Sequence, residues 1–117
     1  MANIHGADDA AWIGAIKRLS FWLNNLLKDL DKLLGVIKKK KLNKKEFNKY
    51  KHWVSYNIQT VQTPVPPNVA IMTVIEAAGV NSLVKLWKDF VASITKENYD
   101  NARTHLVNLI EVCSNSI

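Results

Sequence analysis

Trp12, Ile16, Leu19, Leu23, Leu26, Leu30, Leu33 and Ile37 recur at alternating intervals of four and three residues, the period of one face of an α-helix. This seam predicts a long helix from about Asp8 to Lys41. Asp8 or Asp9 would cap its first amides, and lysines would lie near its negative, carbonyl end. Ile13, Leu27 and Leu34 widen the seam on one side, and Ala15, Trp22 and Val36 on the other. A face that broad predicts burial against several helices rather than one partner strand. Phe21 falls opposite the seam with Gly14, Lys28 and Gly35, which makes it a candidate surface contact.

The pattern then restarts. Asn43 and Glu46 have the spacing of a helix cap and its reciprocal acidic partner, so a second helix is predicted over residues 44–62. Its inward stripe is Phe47, Tyr50, Val54, Ile58 and Val61, and an adjacent basic and aromatic stripe holds Lys45, Lys49, His52 and Tyr56, with Trp53 at its edge. The run TPVPP, Thr63 to Pro67, predicts a stiff connector, because proline lacks an amide donor and disfavours helix in the residue before it. Asn68 would cap a short, nearly all-apolar third helix over residues 68–78, ended by Gly79. A fourth, over 82–94 and capped by Asn81 or Ser82, carries Leu83, Leu86, Trp87, Phe90, Val91 and Ile94 on one face. Thr95 would cap a fifth over 96–114, with Tyr99, Ala102, Leu106, Leu109, Ile110 and Cys113 at helical spacing. The short connections predict an all-α, compact bundle of about five helices in a single domain, residues 1–117.

Charge changes the picture at one place. Of the net +6, the segment from Lys38 to Lys51 holds eight lysines and one glutamate, +7, while the other eight Lys and Arg face nine acids, −1. A field so concentrated attracts polyanions, whereas the same charge spread evenly would mainly aid solubility. Lys38, Lys39, Lys40, Lys41, Lys44, Lys45, Lys49 and Lys51 are therefore candidate phosphate contacts, and His52, Trp53 and Tyr56 candidate partners for unpaired bases. Fourteen lysines against two arginines favour backbone contact over base-edge readout, which suits the guanidinium fork. The competing reading is a solvated junction that keeps an apolar bundle soluble or meets an acidic protein.

Other chemistries find little support in the pattern. His5, His52 and His105 are scattered and one cysteine builds no CxxC, so no metal site is expected. Gly6, Gly14, Gly35 and Gly79 stand alone, without a phosphate-binding glycine loop. No Ser or Cys adjoins an oriented His, and neither catalysis nor a cofactor is expected. Cys113 lies on an apolar stripe and reads as core filler. The longest uncharged run, His52 to Ile75, is broken by three prolines and many polar groups, which argues against a membrane span. The apolar stripes are committed to the bundle, which disfavours a membrane surface. No secretory signal is read in MANIHGADDAAW, and the cysteine content suits a reducing, cytoplasmic setting.

The pattern thus predicts a small basic helical accessory protein that contacts nucleic-acid backbone, DNA or RNA, largely independently of sequence, within a larger nucleoprotein complex. In size and polarised charge it is similar to the small helical subunits of ribonucleoprotein assemblies, a likeness of class without a shared motif. The alternative is a protein-interaction or self-associating module built on Trp12, Ile13, Phe21 and the breadth of the first helix.

Overall fold

The computed structural model describes residues 9–63, 70–77 and 79–115, with side chains from Ile13 onward. Among these residues the chain forms five helices and no strand: α1 Asp9–Ile37, α2 Lys44–Gln62, α3 Ile71–Ala77, α4 Asn81–Thr95 and α5 Tyr99–Asn115. The all-α bundle with one long N-terminal helix stands as the pattern predicts. The Asp8 cap, the Pro64–Pro67 connector and the Asn68 cap lie outside the described residues, as does the side chain of Trp12.

At 29 residues α1 is about 43 Å long, and it is the spine of the fold. It packs against α2, α3 and α5, while α4 lies on α5 and α3. Ala15, Ile16, Leu19, Leu23, Leu26, Leu30 and Leu33 along its seam are at most 1% exposed. Their inward stripe meets Val54 and Val61 of α2, Ile75 of α3, Leu83 and Phe90 of α4, and Leu106 and Leu109 of α5 in one core.

Polar contacts fix the direction of each neighbour. Asn57 of α2 donates to Asp29 at 2.8 Å, and the Lys32 ammonium lies 5.8 Å from the Tyr50 ring centre, so α2 runs antiparallel to α1. Arg103 of α5 donates to Asp31 at 2.6 Å and Lys38 faces Asp100 at 4.0 Å, so α5 also runs antiparallel to α1. The Asn101 amide donates to Ser93 Oγ at 3.2 Å across the α4–α5 hairpin. Asn57 is 4% exposed and Ser93 6%. Both were absent from the apolar stripes, because a polar residue enters a core only when its partner is supplied there.

Boundaries differ from expectation in three places, each for a local reason. α1 stops at Ile37, four residues before Lys41, and closes with a tightened bond from Lys39 N–H to Val36 O at 3.3 Å. A continued helix would crowd four ammonium groups on one turn, with Leu34, Gly35, Val36 and Ile37 one turn earlier offering no carboxylate. The shortening leaves Ile37 38% exposed, outside the seam it was assigned to. Ile13, read as broadening that seam, is 45% exposed.

α4 begins at Asn81 with Val80 as cap and no side-chain capping bond, so neither Asn81 nor Ser82 caps it. Thr95 is the last residue of α4 and its hydroxyl donates back to Val91 O at 3.0 Å, so it does not cap α5. α5 begins instead at Tyr99, where Asn98 Oδ1 accepts from Asn101 N–H at 3.3 Å.

Between α4 and α5 the chain makes a Schellman closure. Asn98 N–H donates to Ser93 O at 2.9 Å and Glu97 N–H to Ile94 O at 3.0 Å, with Glu97 in the left-handed region at φ 58°. The same pair of bonds ends α3, where Gly79 N–H reaches Glu76 O and Val80 N–H reaches Ile75 O. There the left-handed position, φ 78°, is filled by the residue that adopts it without strain.

Candidate nucleic-acid interface

The lysine-rich segment splits at Asn43 into a turn and a helix start. Asn43 takes an extended conformation, its Oδ1 accepts from Glu46 N–H at 3.1 Å, and its amide donates to Glu46 Oε1 at 3.2 Å. The predicted cap and acidic partner are thus present, with the reciprocal bond made through the two side chains. Lys44 and Lys45 occupy the first turn of α2, where the positive pole of the helix adds to their own charge.

All eight lysines are exposed, yet they are not equivalent. Lys38 faces Asp100 at the start of α5 at 4.0 Å, Lys39 bonds Glu46 at 3.4 Å, and Lys51 bonds Glu97 in the α4–α5 turn at 2.9 Å. The hydrogen bond to Glu97, reinforced by its charge, raises the Lys51 pKa above the ordinary lysine value. Among the described residues no carboxylate lies within ion-pair distance of Lys40, Lys41, Lys44, Lys45 or Lys49. The two junction lysines nearest α1 turn to opposite flanks, Lys38 toward α5 and Lys39 toward α2.

On α2, Val54, Asn57, Ile58 and Val61 are buried, and Phe47 and Tyr50 are half-buried against the core. Helical geometry places Lys45, Lys49, His52 and Tyr56 along the opposite face, a strip about 16 Å long. Beside it His52 and Trp53 meet edge to face at 5.5 Å, and Trp53 and Tyr56 at 5.7 Å. Trp53 is 42% and Tyr56 48% exposed. Phe47 and Tyr50 instead carry lysines over their rings, Lys51 at 5.6 Å and Lys49 at 5.5 Å. A strip of ammonium groups beside exposed aromatic rings can meet phosphates along one line and bases along another.

Sequence reasoning missed Glu97, Tyr99 and Asp100, which the fold brings to this end of the bundle. No signal at separations of 46 to 62 residues could have placed them there. Tyr99 is 7% exposed and its hydroxyl has no hydrogen-bond partner among the described residues. Burial, with Glu97 nearby, raises its pKa.

Elsewhere the described residues hold no group of three or more His, Cys, Asp or Glu that could bind a metal ion. Cys113 is fully buried, and burial pushes its thiol up to about 11. No described helix is long and apolar enough to cross a membrane. No protein-family model, curated protein or solved structure matches the chain.

Proposed function

We propose that the lysine-rich end of the bundle contacts nucleic-acid backbone with little sequence preference, as an accessory component of a nucleoprotein assembly. The observation that carries this reading is the set of five exposed lysines, Lys40, Lys41, Lys44, Lys45 and Lys49, with no carboxylate partner among the described residues. Ammonium groups already paired must give up an acid to take a phosphate. Unpaired ones lose only water and release counterions from the strand. Five such contacts give a log K against log salt slope of about −3.5 on a single strand and about −4.5 on a duplex.

The test is binding of a fluorescent oligonucleotide across a salt series, comparing the native chain with one carrying Lys41, Lys44, Lys45 and Lys49→Ser. The slope is expected to fall by about 3 to 4. A second variant, Lys38, Lys39 and Lys51→Ser, is expected to change it less. Undetectable binding at low salt, or a slope indifferent to the first variant, refutes the reading.

One observation favours a protein partner or a second copy in addition. Phe21 is 60% exposed on α1, held edge to face against Trp22 at 5.3 Å. A mass measurement in solution, repeated with Phe21→Ser, tests the self-association form of that reading.

A further inference from the structure

Between α2 and the α4–α5 turn lies a cleft of about 270 Å³ lined by Leu33, Lys51, Val54, Ser55, Ile94, Thr95, Glu97 and Tyr99. Leu33, Val54 and Ile94 make apolar walls. Lys51 and Glu97 form an ion pair on its rim, with spare capacity: the ammonium has two further N–H groups, and the carboxylate has lone pairs beyond the one that Lys51 uses. Tyr99 also lines the cleft, and its hydroxyl is buried and without a partner among the described residues. A buried hydroxyl of this kind costs free energy unless something bonds it. The volume is below that of sites for drug-sized ligands and suits one planar base.

Two features narrow the ligand. A donor and an acceptor side by side on the rim complement an edge that carries a carbonyl beside an N–H, as nucleobases do. Lys44, without an acidic partner among the described residues, lies two helical turns before Lys51 on the same flank of α2, so a strand that runs from it along the helix passes the mouth of the cleft.

We propose that this cleft receives a nucleobase from a single strand held by the neighbouring lysines, with Lys51 and the Tyr99 hydroxyl donating to the base carbonyl and Glu97 accepting from its N–H groups. The inference rests on the nucleic-acid reading above. Guanine makes the fullest match, since its carbonyl adjoins two N–H groups that one carboxylate can accept. A duplex, whose base edges are already paired, does not enter. Stacking on Trp53 and Tyr56 is separate, because those rings lie on the outward side of α2.

The experiment compares a short guanine-containing single strand with the same strand carrying hypoxanthine, which lacks only the 2-amino group and keeps the stacking ring. The native protein is expected to bind the guanine strand about tenfold more tightly, the worth of one charge-assisted hydrogen bond. Glu97→Gln is expected to erase that preference while leaving the salt slope unchanged. Tyr99→Phe, which removes the orphaned hydroxyl without opening the core, is expected to weaken binding of both strands several-fold. In parallel, free guanosine is expected to shift the backbone amide resonances of Ser55, Thr95 and Glu97. Equal affinity for the two strands overturns the cleft proposal and leaves backbone binding intact. If neither strand binds at low salt the backbone reading falls, and silence of the three amides toward guanosine then overturns the cleft as well. A Tyr99→Phe variant that gains stability and binds both strands as before shows a hydroxyl with no ligand, which also overturns it.

Discussion

α3 and α4 end in the same hydrogen-bonded closure but place different residues at its left-handed position, Gly79 and Glu97. Reciprocal substitutions there isolate the backbone. A side chain in the left-handed region costs roughly 1–2 kcal/mol, while glycine adds about 0.4–1 kcal/mol of unfolded-state freedom that folding must remove. Glu97→Gly is therefore expected to stabilise the fold by about 0.5–1 kcal/mol. Its lost bond to Lys51 subtracts little, since both side chains are well exposed, at 58% and 45%. Gly79→Ala is expected to destabilise by a similar amount. A β-carbon there meets nothing within 4 Å among the described residues, so no clash adds to the backbone term. For a chain of this size the midpoints of thermal unfolding should move about 2–4 °C in opposite directions. Urea unfolding followed by circular dichroism at 222 nm gives the free energies directly, with unchanged m values showing that the denatured state is unaltered. Glu97→Ala retains the strained backbone without the carboxylate and is expected to lie near the native value. If Glu97→Gly is less stable than Glu97→Ala, which lacks the same ion pair, relief of left-handed strain does not exceed the entropic cost of glycine and the reasoning fails. A stabilised Glu97→Gly that also loses the guanine preference would indicate that strain is retained at this turn to hold a carboxylate at the cleft.

Further outcomes follow from the core and the buried polar groups. Leu26→Ala, at a position with no exposed surface in the middle of the α1 seam, is expected to cost about 2–5 kcal/mol in urea unfolding; a loss under 1 kcal/mol would mean that the seam repacks freely. Asn57→Ala removes a donor to the Asp29 carboxylate and is expected to cost about 1–2 kcal/mol, whereas Asn48→Ala on the exposed side of α2 should be neutral within error. Cys113 should react with a thiol reagent at pH 8 only as fast as the protein unfolds. Rapid modification of the folded protein would contradict its burial. Because burial raises the folded Cys113 pKa from 9.0 to about 11, its contribution to stability is complete below pH 9 and is lost as pH rises toward 11. Cys113→Ala should flatten that part of the alkaline decline.

The features legible in the sequence are those fixed by local spacing. The α1 seam, the Asn43 cap with Glu46, the stop at Gly79 and the outward stripe Lys45, Lys49, His52 and Tyr56 each depend on residues a few positions apart, where one helical period decides which face they share. Errors arose where a neighbouring element or a local backbone closure outweighed the pattern. Ile37 satisfies the seam but lies past the point where four lysines end the helix. Thr95 has the chemistry of a cap, yet the Glu97 turn places it inside α4. Asn57 and Ser93 are polar but buried, because Asp29 and Asn101 stand ready to bond them.

The sequence by itself determined that the chain is helical, that its excess charge sits between Lys38 and Lys51, and that α2 separates an apolar face from a basic one. Periodicity and charge are properties of consecutive residues and need no fold to exist. Tertiary structure alone decided which charges remain available. By laying α5 antiparallel to α1 it set Asp100 against Lys38, and by turning α4 into α5 it set Glu97 against Lys51 and buried Tyr99 beside them. Electrostatic pairing depends on distance in space, falling off over ångströms whatever the separation along the chain. Among the described residues, the eight lysines between Lys38 and Lys51 therefore became three with acids and five without.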